Sequence, residues 1–313
     1  MMTATTFCAL PNRGVLKLTG PDARDFLQGI ISNNIDHLAA DAALYAALLT
    51  PQGKFLFDFF LVETSDGLLL DGERDRLAEL EKRLKFYKLR ADVTITDHSE
   101  EFSVYALFGD QAATIACLTD KPAAAMSDET GVRYVDPRLS AMGVRLILSH
   151  DELAELQGKC PELPQLAPAD AGVKAYEAWR IGNGIADGSH DIAVEKYFLL
   201  EANFDALSGV DFKKGCYVGQ ELVSRMKHRN AVRKRIVPVC TEAGPLPAPQ
   251  TAITTREGRE AGTLLSQAGN RGLAYLRLEM LGEPLCAGDK ALVVDIPAWL
   301  RTFIADDNAG QSK

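Results

Sequence analysis

The chain has 313 residues, 47% of them hydrophobic, and a formal net charge of −9, which is enough for two or three domains with cores of their own. Its six cysteines, at 8, 117, 160, 216, 240 and 286, include no C-x-x-C pair; this excludes a zinc ribbon, a thioredoxin motif and a ferredoxin-type cluster cradle, and points to a reduced intracellular protein. No apolar run approaches the ~20 residues that span a bilayer, and the start MMTATTFCALPNRG lacks the regions of a secretory signal, so a cytoplasmic protein without a membrane partner is expected.

In chain order, residues 16–19 predict a strand and 21–28 a helix, with Pro21 in its first turn, Ala23, Phe26 and Leu27 on one face, and Gly29 ending it. Residues 30–35 then read as an ordinary turn. Strands at 45–49 and 54–62 are joined by Thr50-Pro51-Gln52-Gly53. Asp58 interrupts the run FLFDFFLV; burying it unpaired is costly, so it either faces solvent or serves a site. A turn at Ser65-Asp66-Gly67 leads into a strand at 68–71. The predicted helix 74–88 carries Leu77, Leu80, Leu84 and Tyr87 as a core stripe, and its charges read as a solvated outer face. Strands at 93–96, 103–108, 132–135 and 143–148 alternate with helices at 111–118 and 151–157, a split β-α-β pattern. Pro161, Pro164 and Pro168 mark a connector before a helix at 169–181. The glycines at 182–188 match neither phosphate-loop nor dinucleotide spacing.

The stretch DFKKGCYVGQELVSRMKHRNAVRKR at 211–235 is the most informative. Cys216 lies between Lys213-Lys214 and a predicted helix at 220–227, the neighbours that favour a thiolate, and Gly215 and Gly219 permit a tight exposed turn. Between Lys213 and Arg235 there are eight basic residues and one acid, a net of +7 that leaves −16 on the rest. Such polarisation suggests a local anion site; a solvated basic helix face is the alternative. Beyond it, strands at 236–240, 251–255, 262–267, 273–278 and 291–296, the first two separated by a proline-rich loop at 242–249, read as a small β-barrel, followed by a loose tail at 306–313. His37, His98, His150 and His190 show no metal spacing and read as surface or capping residues.

KGCYVGQE followed by Arg225, His228 and Val232-Arg233-Lys234-Arg235, with Leu200-Glu201-Ala202-Asn203-Phe204 upstream, resembles the signature of YgfZ-type proteins. These are folate-binding-like factors of iron–sulfur cluster maturation and relatives of the glycine-cleavage T-protein, an aminomethyltransferase. The combination resembles most the branch containing the mitochondrial cluster-assembly members. The resemblance implies an α+β fold: a three-domain, T-protein-like cloverleaf. Residues 1–50 and 161–235 would form a discontinuous folate-binding-like domain carrying the cysteine motif. Residues 51–160 would be an inserted ferredoxin-like α/β sandwich, and 236–305 the barrel.

It further implies Cys216 as the reactive residue and a tetrahydrofolate ligand in a central cavity. Candidate contacts are Asp58, Arg138, Lys196, Glu201, Arg225, His228 and Arg233, the basic groups attracting the folate's glutamate tail. The family pattern is not complete here. Phe57 replaces the first of two consecutive T-protein acids, Asn34 stands at a usual aspartate, and Gly182 stands where folate binders have a glutamate. The function implied is an accessory factor for four-iron four-sulfur cluster assembly or insertion, partnered by assembly proteins and apo-enzymes. One cysteine cannot hold a cluster that takes four thiolates, so any bound cluster would be transient and shared with a partner. A folate-dependent one-carbon transferase is the alternative, which leaves enzyme status open. An RNA-binding accessory is a second alternative, weakened because Arg225–Arg235 lacks interleaved aromatics.

Overall fold

The computed structural model describes residues 4–311. The chain divides into two compact units. One comprises Met1–Leu49, Leu56–Tyr176 and Leu207–Val218, the other Thr50–Phe55, Glu177–Ala206 and Gly219–Lys313. The fold is α+β, as expected.

The first unit is built on two five-stranded sheets. One runs in the order Thr6–Ala9, Ser103–Phe108, Val144–Leu148, Gly131–Val135, Ala125–Asp128; the other in the order Leu44–Leu49, Phe55–Thr64, Gly67–Glu73, Arg13–Thr19, Thr94–Asp97. Every residue of Leu44–Leu49 is buried, as are the first eight of Phe55–Thr64. This explains why their sequences are continuously apolar instead of alternating. The helix Leu77–Lys88 follows a 3-10 turn at Arg74–Arg76 and buries Leu77, Leu80 and Leu84. Its seat is made by Gly14 and Gly72, which face each other across two strands; a Cβ on Gly14 would lie 2.8 Å from Leu77 Cδ2. A side chain there would displace the Leu77 methyl and the Ser99 hydroxyl, also 2.8 Å away.

Segments 1–50 and 51–160 share both sheets, because Thr6–Ala9 pairs with Ser103–Phe108 and Arg13–Thr19 pairs with Gly67–Glu73 and Thr94–Asp97. The boundary expected near residue 50 is therefore not a sheet boundary. Backbone groups of the early strands must find hydrogen-bond partners, and those partners lie far along the chain.

The second unit contains a closed barrel, in the order Lys234–Cys240, Arg271–Arg277, Glu260–Ala268, Ala252–Thr255, Leu285–Ala287, Lys290–Val294. Five of its strands match expectation; Leu285–Ala287, with three residues, is too short to show a period. The tail expected to be loose at 306–313 is corrected: the helix Ala298–Gln311 runs through most of it. Leu300 and Ile304 are buried, and the Asp307 carboxylate accepts from Arg235 Nε at 2.6 Å. Positions 300, 304 and 307 share a helical face, a period hidden by the acidic pair Asp306-Asp307.

Candidate functional site

The loop bearing Cys216 is fixed by a segment almost two hundred residues earlier. The helix Ala23–Gln28 ends at Gly29, and the chain then turns through Ile31, Ser32 and Asn33, all buried. Ser32 Oγ donates to the Gly209 carbonyl at 2.6 Å and accepts from Ala47 N–H at 2.8 Å. Asn33 Nδ2 donates to the carbonyls of Ser208 at 2.7 Å and Tyr45 at 2.8 Å. Asp211 N–H donates to the Ser32 carbonyl at 3.2 Å. Two short polar side chains thus stitch residues 208–211 onto 32–33.

Lys214 closes the cradle. Its buried ammonium donates to the carbonyls of Gln28, Ile31 and Asn33, each at 2.8 Å. Three converging acceptors match the three donors of an ammonium, and one of them belongs to the C-terminal end of a helix, where a cation is favoured. Burial draws the Lys214 amine down to about 8, still above neutral pH, so it is charged at pH 7. The role expected of Lys214, a cation tuning Cys216, is corrected: its charge is turned inward onto backbone carbonyls.

Cys216 itself is exposed, as expected. Lys213 is exposed beside it, and its backbone N–H closes a turn on Asp211 Oδ1 at 2.7 Å. Tyr217, next in the chain, is buried with its ring 5.0 Å from the Lys214 ammonium. The thiol therefore projects from a loop held on both sides by buried residues. Of the two glycines expected to shape the turn, Gly219 has φ +85°, the region that favours glycine, whereas Gly215 does not have positive φ. Asn34, at the usual aspartate position, caps the turn Ile35–His37 and accepts from Gln28 Nε2 at 2.7 Å.

Asp58 and Arg138 meet in a second cluster of this unit, between the two sheets. Asp58 is buried and accepts from the Tyr45 hydroxyl at 2.9 Å; the Arg138 guanidinium lies over the same Tyr45 ring, 5.4 Å from its centroid. Arg138, a candidate ligand contact, instead grips Asp136 within the protein in a bidentate pairing, through Nε at 3.0 Å and Nη2 at 2.7 Å. Beside them Asp71, fully buried, receives Arg13 at 2.6 Å, Arg145 at 3.1 Å and the Tyr134 hydroxyl at 3.0 Å. Burial opposes the Asp71 charge, yet Arg13 and Arg145 outweigh it and hold the carboxyl below the ordinary carboxylate range. The solvent-facing alternative for Asp58 is thereby set aside.

Lys196, Glu201, Arg225, His228 and Arg233 lie in the second unit. Glu201 accepts from Phe198 N–H at 3.0 Å and is hydrogen-bonded by Tyr275, whose ring stacks on Tyr197 at 4.0 Å. Lys196 is exposed, and its carbonyl accepts from Lys54 Nζ at 2.6 Å. Arg225 and His228 are exposed on the helix Gln220–His228, and Arg233 is exposed after it.

The basic run is not one surface. Arg235 is buried, bidentate to Asp205 at 2.9 and 3.0 Å and paired with Asp307, while Lys227 faces Asp205 at 3.9 Å. With Lys214 also turned inward, the exposed part shrinks to Lys213, Arg225, Arg229 and Arg233.

A tetrahydrofolate site among the named residues can be tested by what they already hold. Asp58, Arg138 and Glu201 each have partners inside the protein. Among the described residues the buried side-chain polar atom lacking a partner is Arg133 Nε, outside that set. Gly182 opens onto free space, with nothing within 4 Å of a Cβ built there, so no substitute side chain fills the glutamate's place. Asp58, Arg138 and Glu201 are therefore engaged within the protein and not held open for a pterin.

The comparisons with known proteins agree with this anatomy. The family model described as the GCVT N-terminal domain matches residues 4–137, and that described as the CAF17 C-terminal beta-barrel domain matches 233–302. The iron–sulfur cluster assembly factor IBA57 homolog, mitochondrial, of Aspergillus oryzae is 32% identical over 91% of this chain and 72% of its own length. The protein of the same name from Pyricularia oryzae is 32% identical over 97% and 87%. The chain belongs to the IBA57 family. A crystal structure of glycine cleavage system aminomethyltransferase T from Bartonella henselae superposes with a TM-score of 0.77 at 15% identity, covering 95% of this chain and 86% of that one. That likeness establishes the shared fold. The IBA57 relatives carry the designation mitochondrial, which overturns the expectation of a cytoplasmic protein. Reading from the sequence also missed Ser32 and Asn33 as supports of the Cys216 loop. Nothing local marks them, since their partners lie at 208–211.

Proposed function

We propose that this chain acts in iron–sulfur cluster assembly, presenting the Cys216 thiol to a cluster or to a partner's thiol. The observation that carries the reading is an exposed cysteine on a loop pinned by a buried lysine, in a chain that is 32% identical to proteins named iron–sulfur cluster assembly factors. On losing its proton to solvent, the thiol becomes a ligand for iron or a nucleophile toward a disulfide. A single thiolate leaves the other positions of a four-iron four-sulfur cluster to a partner. The partners are then assembly proteins that bring the cluster and apo-enzymes that take it, and the cluster is cargo. Folate has no assigned part, because Asp58, Arg138 and Glu201 already hold partners within the protein.

The test is complementation at native expression level in cells lacking this protein, reading the activities of several cluster enzymes. Cys216→Ala should fail to restore them. Cys117→Ala is the matched control, since Cys117 is the other exposed cysteine, and it should restore them fully, as should alanine at positions 8, 160, 240 and 286. Full restoration by Cys216→Ala would remove the assigned role.

A further inference from the structure

The helix Leu77–Lys88 buries Leu77, Leu80 and Leu84, as an amphipathic helix should, but its end does not follow the rule. Phe86 is 70% exposed and Leu89, its C-cap, is 88% exposed; no other large hydrophobic side chain among the described residues is as open. Leu89 also sits at φ +48°, ψ −106°, a conformation that is costly for any residue with a Cβ. Glycine at that helix end would be more stable. An exposed leucine held in strain has no explanation in the stability of the unit.

The surroundings say what could cover these two side chains. Lys82, Arg83, Lys85, Lys88 and Arg90 all lie within four residues of one or the other along the chain, within a protein of net charge −9. Lys85 is paired with Glu81 at 2.6 Å; the other four cations make no ion pair among the described residues. Phe86 lines a concavity of about 350 Å³ together with Glu79, Lys82 and Arg83. The charges expected to be a solvated outer face thus border an apolar anchor point.

We infer that this helix end, centred on Phe86 and Leu89 and rimmed by Lys82, Arg83, Lys88 and Arg90, is a docking surface for an acidic segment of a partner protein that inserts an apolar side chain. Exposed apolar side chains at the centre and charge at the rim are the anatomy of a protein interface. The rim selects an acidic partner and speeds its encounter. A bilayer fits less well, because it calls for a long apolar face, and the apolar stripe of this helix is turned into the core. The inference stands on this surface alone and does not depend on Cys216.

Short peptides displayed in a library biased toward Asp and Glu are to be selected on the full chain, with a charge-neutral library of the same apolar content in parallel. Acidic clones carrying an apolar residue should be enriched. They should bind about tenfold more weakly to Phe86→Ser/Leu89→Ser, the loss expected for an apolar side chain buried at an interface, and also lose affinity for Lys82→Glu/Arg83→Glu. Both double variants should keep the unfolding midpoint. Leu89→Gly should raise the midpoint while weakening binding, a combination that a purely structural role for Leu89 would not give. Enrichment of neutral clones, or equal binding to native and variant chains, overturns the inference. So does Phe86-dependent binding to phosphatidylcholine–phosphatidylserine vesicles, which makes the surface a lipid site. Self-association in sedimentation that is lost in Phe86→Ser/Leu89→Ser also overturns it, since the occupant is then a second copy.

Discussion

The Asp71 cluster and the Cys216 loop belong to the same unit, and each gathers buried charge, but they close that charge differently. Around Asp71, carboxylates face guanidinium groups: Arg13 and Arg145 on Asp71, and Arg138 on Asp136. Each of these five groups has a partner of opposite sign. At the loop, one ammonium faces three neutral carbonyls, and the side chain that follows two residues later, Cys216, is left in solvent. The first arrangement fastens two sheets together. The second fastens a loop while leaving a thiol available. Polar density in the sequence therefore does not identify a reactive site; an uncovered reactive atom on a pinned backbone does.

The largest effect should come from breaking the closed cluster. Asp71→Ala leaves two buried guanidinium groups without their carboxylate and should cost about 3–5 kcal/mol, measured by denaturant unfolding. The same residue sets an acid limit. Its folded carboxyl lies below the ordinary 3.8, so its contribution is complete above that value and is lost as pH falls through the lower folded value. Native protein should lose stability below about pH 4 through this group, and Asp71→Asn should show a flatter profile there. If the two profiles coincide, the charge on Asp71 is not what holds the sheets.

A smaller cost is expected at the loop. Lys214→Met removes three charge-assisted hydrogen bonds and strands three carbonyls, at about 2–3 kcal/mol. Lys214→Arg should not repair it, because a planar fork does not fit three converging acceptors. Hydrogen exchange at Asp211 should accelerate in Lys214→Met, and cluster-enzyme activity should fall although Cys216 is intact. Unchanged exchange at Asp211 would mean that Ser32 and Asn33 hold the loop by themselves. The smallest stability effect belongs to Cys216→Ala, within about 0.5 kcal/mol for a surface position, alongside the largest functional loss. A clear drop in its unfolding midpoint would show that the thiol is structural.

By itself the sequence determined much of this protein: most strands and helices of both units, though not the short strands Thr6–Ala9, Ala125–Asp128 and Leu285–Ala287 or the helix Ala298–Gln311, the barrel, and the family carried by the KGCYVGQE motif. Those rest on period and on residue order, which are local properties. It also located the exposed thiol, because Lys213 and the neighbouring polar residues left little apolar surface to bury it. What only the tertiary structure decided was where each charge points. Lys213 and Lys214 are adjacent in sequence, yet one is solvated and the other buried on carbonyls of residues 28–33. Arg233 and Arg235 differ in the same way, one exposed and one enclosed by Asp205 and Asp307. Alternation along a strand sends side chains to opposite faces, but whether a buried charge is tolerable depends on a partner brought by a distant segment. That partner is a property of the fold, and no window of sequence contains it.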